Sequence, residues 1–412
     1  MNLFRYSLKN ISERKAQSIV FVLFISVACT VLIFFNCFVY TIANQSKGSI
    51  KTNLTGKMII RSSKDEGEIY TSSGSWGNII PLTENQINSV VSAFNSDDYE
   101  IVKRIRMNME FENDVAKVSG IVMSYENNSI DDEFFDLNSG RMISADDKNS
   151  VIITPEQARS LNADVGDKIN AIYTTEAGQA EKEVEIIGIG ETELLLGMVI
   201  SYIDYDLSKE MLKQAGQGDC SATELLAVEM KDNISKDEAM NKINASLDGE
   251  HKLSVTFWDE ASAFLIGMIN LYSAIIYIFI LLLMIVIFVL ILNLILVSGL
   301  ERRIEVGTLR AIGFSKKKVL GIFLTEYGII SVFSLLVSVV ISFVLIKHFS
   351  ENCITFKAPI TFVTGRKLFM QYDLWGTVRI VSFMLVSILM FCALPVWRIV
   401  SIKPLEALSD KG

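Results

Sequence analysis

Four long apolar runs alternate with polar segments along the chain. The runs are residues 19–42, 264–297, 319–346 and 378–400. A helix needs about 20 apolar residues to cross a hydrocarbon core of about 30 Å, and each run reaches that length. The first run is also longer than the apolar core of a signal peptide and lacks a small-residue cleavage site. The pattern therefore predicts four transmembrane helices.

The polar segment between the first two runs, residues 44–262, alternates between short β-favouring stretches and helical ones. A segment of this length can bury a core of its own, and the mixed order of elements favours an α+β fold. Pro155 directly behind Thr154 marks the start of a helix. The predicted strands are 57–61, 99–106, 115–123, 151–154, 168–174, 184–190, 224–230 and 252–257, and the predicted helices are 84–94, 155–161, 207–215 and 236–247.

The distribution of charge predicts the side of the membrane that each polar segment occupies, because basic loops stay in the cytoplasm. Residues 1–18 carry four Lys or Arg against one Glu, and residues 299–318 carry six against two. Residues 44–262 carry 20 Lys or Arg and 39 Asp or Glu, a net charge of −19. We therefore expect both chain ends to be cytoplasmic. The expected fold class is membrane α-helical, with a large α+β extracytoplasmic domain inserted between transmembrane helices 1 and 2.

This interpretation divides the whole chain into segments. The second apolar run holds 34 residues, and a helix of that length measures about 50 Å, so we expect it to extend outward as a stalk. In order, the segments are a cytoplasmic amphipathic helix at 1–18, transmembrane helix 1 at 19–43, the extracytoplasmic domain at 44–262, transmembrane helix 2 with its outer stalk at 263–298, a cytoplasmic elbow at 299–318, transmembrane helix 3 at 319–346, an outer loop at 347–377, transmembrane helix 4 at 378–400 and a cytoplasmic tail at 401–412.

Two of these helices carry faces suited to contacts. The N-terminal helix places four apolar residues on one face, which predicts a helix lying on the inner membrane surface. These residues are Leu3, Phe4, Leu8 and Ile11. Small residues recur at a four-residue step in the third apolar run, and such rows let membrane helices approach closely. They are Ser334, Ser338 and Ser342. The partner of this second face is either a helix of the same chain or a second copy.

The sequence offers little for catalysis or metal binding. The only histidines are His251 and His348, and the five cysteines are scattered, so neither a metal site nor a His-based triad is expected. Whether Cys220 and Cys353 form a disulfide is a question that the sequence leaves open. The acid pairs are expected to be solvated loop residues; they are Asp97/Asp98, Asp131/Asp132 and Asp146/Asp147. No nucleic-acid partner is expected.

The elbow between the second and third runs shows ordered helix signals. Ile304, Leu309 and Ile312 are spaced for a partly apolar helix face, and Gly313 is placed to end that helix. Ser315 then caps the next helix. Glu326, in the following run, is an acid near the membrane, for which capping, snorkelling and proton coupling are alternatives.

The stretch RRIEVGTLRAIGFSKKKVLGIFLTE resembles the elbow pattern of FtsX/MacB-type ABC transporter permeases, R-x-x-E-I-G-x-L-R-A-x-G followed by a Glu in the next span. The matching residues are Arg302 or Arg303, Glu305, Gly307, Leu309, Arg310, Ala311 and Gly313. Residues 403–408, KPLEAL, are similar to that family's terminal motif. The segment GSIKTNLTGKMIIRS resembles the LolC/LolE lipoprotein-releasing branch.

The resemblance implies a mechanotransmission machine in a bacterial inner membrane. It implies a second permease copy or a paralogue, together with two copies of a separate ABC ATPase that bind ATP and Mg. The residues implied in ATPase coupling are Arg302, Arg303, Glu305, Gly307, Leu309, Arg310 and Gly313. The sequence contains no G-x-x-x-x-G-K-[ST] motif, so we expect this chain to bind no cofactor and hydrolyse no ATP itself.

The resemblance leaves several activities open. The preferred hypothesis is lipoprotein extraction from the cytoplasmic membrane, with lipoprotein, membrane lipid or a periplasmic protein as the further partner. The alternatives are MacB-like efflux of drugs or peptides, FtsX-like regulation of a cell-wall hydrolase, and a sensor that works without an ATPase.

Overall fold

The structure is a computed structural model. It describes residues 3–51, 55–62, 82–94, 99–126, 135–144, 146–175, 177–192, 200–216, 225–230, 238, 241, 253–356 and 367–401. The predicted helix 236–247 lies almost entirely outside these residues. So do the KPLEAL tail, Cys220, His251 and the acid pairs 97/98 and 131/132. The chain divides into two compact units, a helical unit of residues 1–42, 272–354 and 368–412, and a second unit of residues 43–271 and 355–367.

The secondary structure is mixed. The helices are α1 (Leu3–Glu13), α2 (Lys15–Ile50), α3 (Glu84–Ala93), α4 (Pro155–Leu161), α5 (Tyr205–Gln214), α6 (Trp258–Ala261), α7 (Ala263–Glu301), α8 (Arg303–Ala311), α9 (Lys316–Glu351) and α10 (Leu374–Ser401). The strands are β1 (Met58–Ser62), β2 (Tyr99–Arg104), β3 (Arg106–Glu112), β4 (Lys117–Tyr125), β5 (Phe135–Gly140), β6 (Ser150–Ile153), β7 (Lys168–Thr174), β8 (Gln179–Thr192), β9 (Ile200–Asp204), β10 (Leu225–Met230), β11 (Leu253–Phe257), β12 (Ile354–Thr355) and β13 (Lys367–Leu368).

Four helices are long and apolar enough to cross a membrane. They are α2, α7, α9 and the first 20 residues of α10. The helices are longer than the apolar runs that predicted them, because each continues into polar residues at its ends. With 39 residues, α7 measures about 58 Å. The apolar runs thus located the helices correctly and understated their lengths.

Buried serines line the contact between α9 and α2. Ser334, Ser338 and Ser342 are fully buried. Ser26 of α2 donates a hydrogen bond to the carbonyl oxygen of Ser334 at 3.0 Å, and Thr30 donates to that of Ser338 at 3.4 Å. The three serine hydroxyls donate to carbonyl oxygens of α9 itself. Because their own polarity is satisfied locally, these serines act as small residues that let the two helices approach.

A buried carboxylate joins α2 to the start of α10. The Oδ2 atom of Asp373 accepts a hydrogen bond from the side-chain amide of Asn36 at 3.1 Å. Its Oδ1 atom accepts from the backbone N–H of Gly376 at 2.8 Å, so Asp373 also caps α10. A Cβ atom at position 376 would collide with both the Asp373 carboxylate and the Asn36 amide. The clamp therefore requires glycine at this position.

Replacing this glycine is expected to destabilise the helical unit. In Gly376→Ala the new methyl group must displace Asp373 or Asn36, and overpacking of this kind costs about 1–3 kcal/mol. Gly321→Ala in α9 is the matched control, because its Cβ would meet nothing within 4 Å. Thermal unfolding of the two purified variants in detergent checks the prediction. Equal melting temperatures would contradict it.

The second unit contains two sheets. The smaller is antiparallel, in the order β11-β1-β10-β2, and packs its inner face against α3. In the larger sheet the order is β5-β8-β6-β9-β4-β3-β7, and β7 pairs again with β8. Six strands therefore close into a barrel, with β5 attached to the far half of the long strand β8. The pairs β4–β9 and β6–β8 are parallel and the others antiparallel.

The predicted strand at 99–106 is wrong as a single element. Ile105 separates β2 of the smaller sheet from β3 of the barrel. Its backbone N–H donates to the hydroxyl of Ser124 and its carbonyl oxygen accepts from the Ser124 N–H, each at 2.8 Å. The chain therefore changes sheets within one apolar stretch. The strands Phe135–Gly140 and Ile200–Asp204 were not predicted, whereas the helix at 155–161 is confirmed with its Thr154 cap.

Candidate functional site at the elbow

The elbow, residues 299–318, is a short helix held between two long ones. Arg302 separates α7 from α8. At the far end Gly313 adopts a left-handed φ of 100°. The N–H of Gly313 donates to the carbonyl of Arg310, and the N–H of Phe314 donates to the carbonyl of Leu309, both at 3.1 Å. This is a Schellman motif, which ends a helix sharply.

The next helix begins directly after this turn. The hydroxyl of Ser315 accepts a hydrogen bond from the Lys318 N–H at 3.3 Å, which caps α9. The predicted helix stop at Gly313 and the predicted cap at Ser315 are therefore both confirmed. With only four residues between α8 and α9, the direction of the short helix is tightly defined.

A buried ion network fixes α8 to α9. Arg302 is 2% exposed and Glu326 is 5% exposed. The Nη1 atom of Arg302 lies 2.9 Å from both carboxylate oxygens of Glu326. Its Nε atom donates to Glu305 at 3.0 Å, and the guanidinium carbon lies 4.3 Å from the centre of the Phe323 ring. One arginine therefore neutralises two carboxylates, one on each side of the turn.

The same network reaches the N-terminal helices. Arg14, between α1 and α2, donates to the Oε2 atom of Glu305 at 3.0 Å, and the side chain of Gln17 donates to Glu301. Ser7 of α1 donates to the Ile322 carbonyl of α9 at 3.3 Å. The elbow, the start of α9 and the corner between α1 and α2 are thus tied together by charge and hydrogen bonds.

The face of α1 that packs on α9 differs from the predicted apolar face. Ser7 and Asn10 are buried, while Leu8 is 44% exposed. The amphipathic pattern located the helix correctly. It gave no indication that the polar side would be covered by α9.

The predicted coupling residues fall into two groups. Arg302, Glu305 and Gly307 are turned inward; Gly307 is buried and Glu305 is half-buried within the network. Arg303, Leu309 and Arg310 are half-buried, and an Nη atom of Arg310 lies 3.4 Å from the Phe314 carbonyl that it donates to. Gly313 is exposed. Only Arg302 and Gly307 are buried, and the other five residues keep part of their surface exposed.

The exposed surface of the elbow is apolar in its middle and basic at its edge. Ile304 is 63% exposed and Ile312 is 71% exposed, with exposed Thr308 between them at a four-residue step. Lys317 and Lys318 are exposed at the start of α9. We call this surface, Ile304, Thr308, Ile312, Lys317 and Lys318, the elbow face. Leu309 is predicted to share the face of Ile304 and Ile312, but it is half-buried whereas they are exposed.

The sequence of this region matches a known family. Residues 277–404 match the family described as FtsX-like permease C-terminal. This part of the chain is similar to the C-terminal domain of FtsX-like permeases. The matched residues contain most of α7, the elbow, α9 and all of α10, and therefore Arg302, Glu305 and Glu326 of the ion network. Arg14 and Gln17 lie outside the matched residues, so the network joins the matched region to the N-terminal helices.

Solved structures give more distant similarities. One is the extracellular domain of the noncanonic ABC-type transporter YknZ from Gram-positive bacteria, with 17% identity and a TM-score of 0.33, covering 48% of this chain and 98% of that one. Another is a domain of a permease protein from Porphyromonas gingivalis, with 11% identity and a TM-score of 0.33, covering 48% of this chain and 88% of that one. No curated protein sequence matches the chain.

Among the described residues, no group of three or more His, Cys, Asp or Glu side chains is placed to hold a metal ion. Asp147, one of the paired acids, is held in a turn by Arg141 at 2.7 Å and by Ser144. The Arg141 guanidinium holds the pKa of the Asp147 carboxyl well below its usual range. This acid thus braces a loop.

Proposed function

We propose that this chain is the permease subunit of an ABC transporter. In this proposal a separate ATPase binds the elbow face, hydrolyses ATP with Mg, and moves the 44–262 domain on the outer side of the membrane. The FtsX-like permease domain supports the proposal, because permeases of ABC transporters work with a partner ATPase. Both chain ends and the elbow then lie in the cytoplasm.

The observation that carries the proposal is the contrast between the two sides of α8. Its inner side is locked by Arg302, Glu305 and Glu326, while its outer side exposes Ile304 and Ile312. Large exposed apolar side chains on a rigid element are typical of a protein-binding surface. A partner that moves the elbow face would also move α9, through the ion pair, and the corner between α1 and α2, through Arg14.

The second step of the proposal is transmission to the outer domain. Because α7 is continuous from Ala263 to Glu301, a displacement of the elbow is passed along one helix. We propose that two such permease subunits, identical or paralogous, bind two ATPase copies. We further propose that the moved substrate is a lipoprotein of the cytoplasmic membrane, which is supported by the resemblance of residues 48–62 to the LolC/LolE branch.

Gentle purification through a C-terminal tag tests this function. Co-purification of an ABC ATPase with a second permease and a bound lipoprotein is the expected result. An ATPase with a periplasmic adaptor would replace the lipoprotein role by efflux, and an ATPase with a cell-wall hydrolase would replace it by hydrolase regulation. Recovery of the chain without any ATPase, under conditions in which a known complex of this type stays intact, would contradict the whole proposal.

A further inference from the structure

A groove of about 520 Å³ lies between the first turns of α2 and the last turns of α7. Val20 and Phe24 of α2 and Leu290, Leu294 and Val297 of α7 form most of its wall. Both helices belong to the four that are long and apolar enough to cross a membrane. An apolar groove on these helices is open to molecules dissolved in the bilayer, and an occupant must present apolar surface to this wall.

Polar side chains also line the groove, three of them near the end of α7 and Asn293 about 12 Å further back along this helix. Gln17, Asn293, Ser298 and Glu301 are also part of its lining. Asn293 is exposed although it lies within a long apolar run, and an amide facing hydrocarbon is costly unless it finds a hydrogen-bond partner. Ser298 is already engaged, because its hydroxyl accepts a hydrogen bond from Tyr327 at 3.3 Å.

The charge of the polar end favours one kind of headgroup. Among the described lining residues Glu301 is the one ionisable side chain, and it is exposed at the end of α7. It accepts a hydrogen bond from the side chain of Gln17, and a carboxylate has room for further donors. A carboxylate complements a cation that donates hydrogen bonds. An anionic headgroup placed next to this carboxylate would be repelled.

We propose that this groove binds an aminophospholipid, with an acyl chain along the apolar wall and the primary ammonium group hydrogen-bonded to Glu301. The lipid is a specific ligand and differs from the general lipid that surrounds any membrane helix. The headgroup binds at Glu301, directly before Arg302, so the lipid stabilises the junction between α7 and α8. This site does not depend on the ATPase partner.

Thermal unfolding of the full purified chain in detergent tests the site. Phosphatidylethanolamine, phosphatidylcholine and phosphatidylglycerol with identical acyl chains are titrated separately. Phosphatidylethanolamine is expected to raise the melting temperature at the lowest concentration, because its ammonium donates hydrogen bonds and the choline group does not. Glu301→Gln should raise the concentration for the half-maximal shift about tenfold, as expected for loss of a charged hydrogen bond.

A pair of tryptophan variants separates the groove from the rest of the helix surface. Val297 and Val289 are 55% and 57% exposed on the same helix, but only Val297 lines the groove. Val297→Trp fills the groove and should abolish the lipid-dependent shift, while Val289→Trp should respond like the unaltered chain. Native mass spectrometry should show one retained phosphatidylethanolamine per chain, lost only in Val297→Trp.

Three results would overturn this site. Equal shifts with all three lipids, or an unchanged response of Glu301→Gln, would show only surrounding lipid. Loss of self-association in Val297→Trp without any lipid response would show that a second copy covers the groove. If Val297→Trp does not fold, the comparison of Glu301→Gln with the unaltered chain decides. Each result is independent of whether an ATPase co-purifies.

Discussion

Arg302→Ala is expected to destabilise the helical unit by about 3–5 kcal/mol, because it leaves a buried carboxylate without its counter-charge. Glu326 is 5% exposed, and Arg302 donates to both of its oxygens at 2.9 Å. The loss also removes one of the two arginines that bind Glu305, while the contact with Arg14 stays. Thermal unfolding of the purified variant measures the effect. Lys317→Ala, an exposed lysine near the same elbow, is the control and should unfold as the unaltered chain does.

Removing both partners should be far less harmful than removing one. In the double variant Arg302→Met with Glu326→Leu no charge is left without a partner between α8 and α9, and buried pairs replaced by apolar residues are often neutral or more stable by about 1–4 kcal/mol. The stability of Arg302→Lys should lie between that of Arg302→Ala and that of the double variant, since an ammonium cannot reproduce the paired contacts of the guanidinium. If the double variant were no more stable than Arg302→Ala, the ion pair would not be the cause of the destabilisation.

The double variant also separates stability from transmission. We expect it to fold but to transmit elbow movement poorly, because apolar contacts leave the direction of α8 less defined than a two-oxygen ion pair does. The readout is stimulation of the co-purified ATPase by substrate. Full stimulation in a stable double variant would mean that the network holds the fold together and has no part in coupling.

The sequence predicted those features that depend on neighbouring residues. Apolar runs located the four long helices, and Thr154, Gly313 and Ser315 marked helix ends that the structure reproduces, because a cap is made within a few residues. Local patterns also explain one error. The stretch 99–106 is continuously strand-like, and its division at Ile105 depends on two sheets formed with distant strands.

The parts that could not be predicted depend on contacts between distant residues. Arg14 and Glu305 are 291 positions apart, and no spacing rule links them. Phe135–Gly140 has a polar, turn-like sequence, FDLNSG, yet forms a strand because β8 offers it an edge. Helical spacing grouped Leu309 with Ile304 and Ile312, but packing against α9 decides which side of α8 stays exposed. The motif identified the elbow, but it did not show which of its residues are buried and which stay exposed.

The outer side of the elbow gives the second large effect. Ile304→Asp is expected to weaken binding of the ATPase by about 30-fold or more, since central apolar residues of an interface contribute about 2 kcal/mol or more each. The charged side chain would have to be buried against the partner without a counter-charge. The check is the affinity of the purified permease for its co-purified ATPase, measured as binding of one protein to the other immobilised on a surface. Ile312→Asp should weaken this binding in the same way.

The control for this prediction has to be an equally exposed apolar residue elsewhere. Val115 is 67% exposed, against 63% for Ile304, and it lies in the second unit. Both Val115→Asp and Ile304→Asp should leave the melting temperature nearly unchanged, because an exposed substitution usually changes stability by less than about 0.5 kcal/mol. Only Ile304→Asp should lose the ATPase. If the two variants bound the ATPase equally well, the elbow face would not be the docking surface. The basic residues Lys317 and Lys318 would then serve only to orient the helices in the membrane.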